Sequence, residues 1–293
     1  MNSKRIRLIG LHSLSMISRA RIRSLLTSDP ELDFLTNFSP EQFASLTGIP
    51  IHTSHMIYRR LKDPNIMKKL DNYFRRYTIL TWFDDRFPPM FRTIPDPPLV
   101  LYIEGHPDLL SNAFSLSVIG TRKPSSYAFP AMKQVLTPLI KQGAMIVSGM
   151  AYGIDQYAHT LAVHNGGKTA AVLGSGFEHI YPSNNLSLYK QMADHHIVIS
   201  EYPPDMPPKK YHFPERNRLI SGLSPATFVI EAKMRSGTMI TVDQALEQGR
   251  SVYALPGPAG SPTSEGCHHL INEGAKLVHT YQDIAEDWFE KFE

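Results

Sequence analysis

Chemistry in this sequence is most readily expected where an apolar run stops at glycine beside an arginine. Val118-Ile119 ends one run and feeds Gly120-Thr121-Arg122; after a helical stretch of about five turns, Met145–Val147 ends a second and feeds Ser148-Gly149. At such strand-to-helix turns, unpaired backbone N–H groups and the positive helix end attract an anion such as phosphate. Arg122 sets a charged fork beside those amides. A plain structural turn, which every doubly wound sheet needs at these points, is the alternative. Further groups fall at the ends of later runs: Gly174-Ser175-Gly176, Glu201, Glu231 and Ser236-Gly237-Thr238. A long insertion after Glu201 adds Lys209, Lys210, Tyr211, His212, Phe213, Arg216 and Arg218. Cations interleaved with rings suit a nucleic-acid single strand, because the cations hold phosphates while the rings stack on bases.

The elements that position these groups alternate along the chain. After the opening βαβ unit the pattern predicts a strand at Lys168–Leu173, a helix at Asn184–Ala193 and a strand at Ile197–Ser200. It continues with a strand at Ala226–Ile230, a helix at Met239–Gln248, a strand at Ser251–Leu255, a short strand at Leu277-Val278 and an acidic helix from Asp283. Strands alternating with helices imply an α/β fold with a parallel sheet covered on both faces, and ligands bind such sheets beyond the carboxyl ends of the strands, where strand order reverses. Upstream, Tyr77–Trp82 and Leu99–Ile103 flank a proline-dense connector that adds edge strands. Residues 6–62 carry helix-start signals at Thr27–Pro30, Ser39-Pro40-Glu41 and Thr53-Ser54, predicting helices at Glu31–Phe38, Glu41–Thr47 and His55–Leu61. Leu46–Pro50 reads as a hairpin between helices. The linker is expected near residues 63–75.

The chain has 293 residues, 30 Lys and Arg against 27 Asp and Glu, and one cysteine, Cys267. No apolar run reaches the roughly 18 residues of a membrane span, and no secretory leader is evident, so a cytoplasmic protein is expected. Cys267 lies in a Ser/Gly/His stretch and reads as a bystander thiol. Residues 1–76 hold thirteen Lys and Arg against six Asp and Glu, while the remainder is formally −4. The basic end is a candidate nucleic-acid or partner surface, or simply a solvated helix face.

Eight segments in order resemble the DNA-processing protein A (DprA/Smf) family: V-I-G-T-R-K-P-S-S-Y (118–127), V-S-G-M-A-Y-G-I-D-Q-Y-A-H (147–159), G-G-K-T-A-A-V-L-G-S-G (166–176), I-Y-P-S-N-N-L (180–186), S-E-Y-P-P (200–204), F-P-E-R-N-R-L-I-S-G-L-S (213–224), E-A-K-M-R-S-G-T-M-I-T (231–241) and G-R-S-V-Y-A-L-P-G (249–257). The resemblance covers about residues 75–280. It implies an extended Rossmann-like, mostly parallel sheet at residues 71–293 that binds single-stranded DNA, and a small all-helical domain of the sterile-alpha-motif (SAM) type at residues 1–70. It also implies a homodimer that helps load RecA recombinase onto incoming DNA in natural transformation. Carried over residue by residue, Arg122 would contact phosphate with support from the amides of Gly120 and Gly149, and Lys168, Arg216 and Arg218 would line the same basic pocket. Lys209, Lys210, Lys233 and Arg235 join the set on local charge alone. Tyr152 departs from the family, many of whose members carry a cation there. A C-terminal winged helix found in many members is expected to be missing.

Catalysis is not expected. Ser148 and Ser236 sit on glycine turns, but no histidine is placed as a base and no G-x-S-x-G elbow occurs. The histidines are scattered, and adjacent ones in a strand point to opposite faces, so no metal is expected. No cofactor is expected either. The rival is a nucleotide-processing enzyme of the lysine-decarboxylase-like, phosphoribohydrolase type, whose P-G-G-x-G-T-x-x-E pattern is not reproduced around Ser236-Gly237-Thr238.

Overall fold

The computed structural model describes residues 3–112 and 114–289. Among these, six helices precede the first strand: α1 (Lys4–Ser13), α2 (Arg19–Ser28), α3 (Phe34–Asn37), α4 (Pro40–Thr47), α5 (Ile51–Leu61) and α6 (Pro64–Arg76). Ser39 caps α4 as expected, accepting from the Gln42 amide while the Gln42 side chain accepts from the Ser39 amide, and Gly48 ends it at φ 64°. The segment expected as linker is instead α6, capped by Asp63 with Pro64 in its first turn, and the expected boundary at residue 70 falls inside it. Pro50, rather than Thr53-Ser54, precedes α5. Helices α1 and α2 start at Ser3 and Ser18, whose hydroxyls each accept from an amide three residues on.

The rest of the chain runs β1 (Thr78–Thr81), α7 (Pro89–Arg92), β2 (Val100–Gly105), β3 (Ser115–Ile119), α8 (Ala128–Lys141), β4 (Met145–Ser148), α9 (Ile154–His164), β5 (Lys168–Leu173), α10 (Leu186–His195), β6 (Ile197–Ser200), α11 (His212–Gly222), β7 (Ala226–Val229), α12 (Gly237–Glu247), β8 (Ser251–Ala254), α13 (Glu265–Asn272), β9 (Lys276–Leu277) and α14 (Gln282–Phe289). All nine strands of the described residues form one sheet in the order β1-β2-β6-β5-β4-β3-β7-β8-β9. Pairing is antiparallel for β1 with β2 and β2 with β6, and parallel throughout the rest. The sheet is therefore mostly parallel, with β2 alone running against the other strands near one edge, and strand order reverses at β3, which lies between β4 and β7.

Period-two alternation distributes strand residues between the faces. Leu101, Ile103, Ile119, Val147, Val172 and Ile199 pack against α7, α11, α12 and α13. On the other face, Leu116, Val118, Ile146 and Phe228 meet α8, α9 and α14, while Val100, Tyr102, Ala171, Leu173 and Val198 meet α10 and the six N-terminal helices. The helical region thus shares one apolar cluster with half of a sheet face. Helices α11 and α13 are among those not foreseen. Helix α11 occupies the basic insertion, and α13 carries Cys267, which is buried rather than in a loop, with burial pushing its thiol up to about 12. Of the expected acidic helix, residues 290–293 lie outside the described residues. No described helix is long and apolar enough to cross a membrane.

Candidate nucleic-acid interface

Where strand order reverses, the carboxyl ends of β3, β4 and β7 open into a cleft of about 620 Å³. Ile119, Gly120, Thr121 and Arg122 form one wall, Phe213, Arg216, Asn217 and Ile220 of α11 another, and Ser236, Gly237, Thr238 and Thr241 a third; Lys210, Ala151, Asp155 and Tyr181 complete it. A smaller hollow continues from it past Tyr152 and Pro182.

Close backbone approach builds the β3 and β4 turns. Gly153, the N-cap of α9, has φ 78°, and a Cβ there would stand 2.5 Å from the Thr121 carbonyl oxygen. A Cβ on Gly149 would stand 2.7 Å from the Arg216 guanidinium. Arg216, at 4% exposure, donates from Nη1 to the Gly149 carbonyl at 2.6 Å and to the Val172 carbonyl. Burial lowers its pKa to about 10, against the pull of Asp155. Asp155, in the first turn of α9, accepts from the amides of Gly149 (3.2 Å) and Ala151 (3.4 Å), and burial raises its carboxyl above the ordinary range despite Arg216 and those amides. The Gly149 amide, expected to meet an external phosphate, is therefore occupied by the protein's own carboxylate, a partner six residues on that strand-end logic did not reveal.

A free helix terminus lies across the cleft. Ser236 caps α12 in an extended conformation, yet its hydroxyl donates to the Lys233 carbonyl and caps no amide of the first turn. The cleft wall at Gly237 and Thr238 thus presents a helix N-terminus to an anion. Nearby, Glu231 is buried at 1% and accepts from the Ser125 amide at 2.9 Å, the Ser125 hydroxyl and the Thr263 hydroxyl at 3.1 Å, bracing the loop that carries Arg122.

Aromatic faces interleave with the cations. The Arg122 guanidinium stands over the Phe213 ring at 5.9 Å, and that ring lies 5.4 Å from Tyr181, which is 47% exposed. Lys209 is exposed with its ammonium 5.7 Å from the Tyr211 ring, and exposed Lys210 lines the cleft. Lys233 and Arg235 are exposed on the loop leading into Ser236.

Two expected pocket residues stand elsewhere. Lys168 begins β5, beside Met145 at the start of β4, so it lies at the amino edge of the sheet, a strand's length or about 20 Å from the cleft. Arg218 faces away from the cleft: Nη2 binds both Glu201 carboxylate oxygens, at 2.8 and 2.6 Å, and Nε lies 3.0 Å from Asp96. The F-P-E-R-N-R motif is helical, so residues 216 and 218 point to different sides; read as extended, it puts both on one edge. Sequence reading did not single out Asp155, Asn217 or Tyr181. Their spacing gave no signal, because only the fold brings three separate segments together. Among the described cleft residues, Asp155 is the one carboxylate and no histidine or cysteine lines the wall. No cluster of three potential metal ligands occurs among the described residues.

The family model for DNA recombination-mediator protein A matches residues 78–289. The chain is 43% identical to the DNA processing protein DprA of Bacillus subtilis over 202 residues, which is 69% of this chain and 68% of that one. It is similar to the solved structure of DNA processing protein A from Streptococcus pneumoniae, with TM-score 0.85, 35% identity and 98% of each chain covered. A second solved structure, describing the single-stranded DNA binding mode of DNA processing protein A from Helicobacter pylori, matches with TM-score 0.67 and 29% identity over 74% of this chain and 97% of that one. With the motifs, the sheet order and the cleft at its reversal point in agreement, the chain belongs to the DNA recombination-mediator protein A family.

Proposed function

We propose that this protein binds single-stranded DNA in the cleft at the carboxyl ends of β3, β4 and β7, and acts as a recombination mediator rather than an enzyme. The observation that carries the reading is the alternation of Arg122, Lys210 and the α12 N-terminus with the rings of Phe213 and Tyr181 in one cleft. Cations and helix amides hold phosphates without regard to base, and rings accept any base face. The binding mode named for the Helicobacter pylori relative supports the same ligand. In this reading the protein works in the cytoplasm as a homodimer, protects incoming DNA in natural transformation and hands it to RecA recombinase.

Anisotropy titrations with single- and double-stranded oligonucleotides of equal length test the binding step. Single strands should bind more tightly, with affinity falling steeply as salt rises, at about −0.7 in log–log slope per neutralised phosphate. Equal binding of both forms, or indifference to salt, would overturn it. Light scattering that finds only monomer at micromolar concentration would remove the dimer. RecA filament assembly unchanged by the protein on coated single strands would remove the loading step. The nucleotide-processing alternative would need a proton carrier in the cleft, where Asp155 is the one carboxylate among the described lining residues. Its engagement by two amides argues against a role as proton carrier, and release of free base from nucleoside monophosphates would reinstate it.

A further inference from the structure

A second constellation lies behind the cleft, on the opposite side of α11. Arg19, in the first turn of α2, places Nη1 at 3.2 Å from Glu215 and 3.3 Å from Glu201, and Nη2 at 3.0 Å from Asp96. Arg218 engages the same two carboxylates, Glu201 and Asp96. The two arginines therefore share their acids in a closed ring that ties together α2, the proline-rich connector, the end of β6 and α11. Glu201 is 2% exposed and Arg218 5%. Glu215 also accepts from the Tyr202 hydroxyl at 3.0 Å.

Helix α11 contributes to both sides. Positions 213, 216, 217 and 220 line the cleft, while 215 and 218 enter the ion cluster, the two sets following the helical period. No side chain caps the α11 N-terminus, and the segment before it, residues 201–211, contains no strand or helix. The start of α11 is instead held by side chains from elsewhere: Tyr202 donates to the His212 carbonyl at 3.3 Å, Gln244 to the Pro214 carbonyl at 3.0 Å, and the ion cluster takes Glu215 and Arg218. For the deeply buried Glu201 and Arg218, pairing is strict in geometry, because a displaced partner leaves a desolvated charge uncompensated; Arg19, Asp96 and Glu215, partly exposed, complete their partners.

Given the single-strand reading above, on which this inference rests, we infer that Arg19 is a positioning residue for the cleft: from the N-terminal helices it holds α11 so that Phe213, Arg216 and Asn217 stand where the strand would run. The helical region then tunes binding through α11 without touching DNA. Arg23 is a natural control. It arises from the same helix and meets Asp96 and the Pro97 carbonyl, but makes no hydrogen bond or ion pair to α11 among the described residues.

The test is anisotropy with a labelled oligothymidylate and the full chain, comparing the parent with Arg19→Ala, Arg23→Ala, Glu215→Gln, Phe213→Ala and the Arg19→Ala/Phe213→Ala double variant. Arg19→Ala should weaken binding about five- to tenfold, and Glu215→Gln about two- to threefold, as coupling between contacting residues allows. Their salt slopes should match the parent, whereas losing a direct phosphate contact would reduce the slope by about 0.7. Arg23→Ala should bind as the parent does, and Arg19→Ala should cost much less when Phe213 is already absent. A reduced salt slope, equal losses for Arg19→Ala and Arg23→Ala, or additive losses in the double variant would overturn the inference. Should Arg19→Ala unfold at the assay temperature, Glu215→Gln decides by the same criteria. A parent that does not bind the oligonucleotide overturns the functional reading and this inference with it; a parent that binds, with Arg19→Ala and Glu215→Gln unchanged, overturns this inference alone.

Discussion

Arg122 and Phe213 face the same cleft and stand one over the other, yet their loss should leave different signatures. Arg122→Ala removes a cation, so affinity should fall for every sequence alike and the salt slope should shrink by about 0.7. Phe213→Ala removes a stacking platform; it should cost about 1–3 kcal/mol of binding and leave the salt slope in place. Titrations at three salt concentrations separate the two, and a common signature would mean that the ring serves only to seat the guanidinium. Away from the cleft, two buried histidines couple stability to pH. The Thr169 hydroxyl donates to the Ile146 carbonyl, so its lone pair accepts from His159 Nδ1–H at 2.7 Å, and buried Nε2 has no partner among the described residues. Burial lowers His159 to about 3, and His12 to about 4 despite Glu201. Unfolded imidazoles titrate near 6.5, so between there and pH 4 the unfolded chain takes up protons that the folded chain refuses. The stabilisation is complete above pH 6.5 and is lost as pH falls, by up to about 1.4 kcal/mol per unit for each histidine. Urea unfolding at pH 7.5, 6 and 5 should show this decline, and His159→Gln should flatten it.

Helices and turns around the cleft depend on contacts that leave no room. Gly149 is the clearest case: a methyl there meets the Arg216 guanidinium at 2.7 Å, where Arg216 also donates to the Gly149 carbonyl. Gly149→Ala should expel the guanidinium, destabilise the fold by about 1–3 kcal/mol and weaken strand binding by moving the cleft floor. Thermal melting and the binding titration check both parts; unchanged values in both would show that Arg216 relocates freely. Helix α12 is the complementary element, since its first turn lacks a side-chain cap and is open to an anion.

On the scale of the whole molecule, the N-terminal helices cover the half of a sheet face formed by β1, β2, β6 and β5. Leu8, Ile9, Phe43, Ile57 and Tyr73 share a cluster with Val100, Tyr102, Leu173 and Val198. Deleting residues 1–76 would bare that face and the β1 edge near it, and exposed apolar patches and edges drive association. The truncated chain is expected to aggregate on expression. Recovery of a monodisperse, folded fragment by size exclusion would show that the sheet stands without its cover. The basic character of this end is also partly internal, because Lys4, Arg5, Arg19, Arg23, Lys69 and Arg76 all form ion pairs within the chain.

Local patterns in the chain were enough to specify the strands and where they stop. Runs such as Lys168–Leu173 and Ile197–Ser200 are apolar, bounded by glycine or hydroxyl residues, and coincide with β5 and β6, because a strand buried on both faces announces itself by composition. Gly120 and Arg122 were legible for the same reason, as residues at a strand end. Helix α11 was hidden, since a proline-rich approach and Pro214 obscure a helix whose first turn tolerates proline. With it went the distinction between Arg216, which floors the cleft, and Arg218, which pairs with Glu201 behind it. Lys168 was misplaced because a motif records order along the chain and not which end of a strand faces the ligand. The Gly149 amide looked free until Asp155 was seen to fill it. Such pairings join residues by direction and distance in space, and only the assembled sheet supplies those.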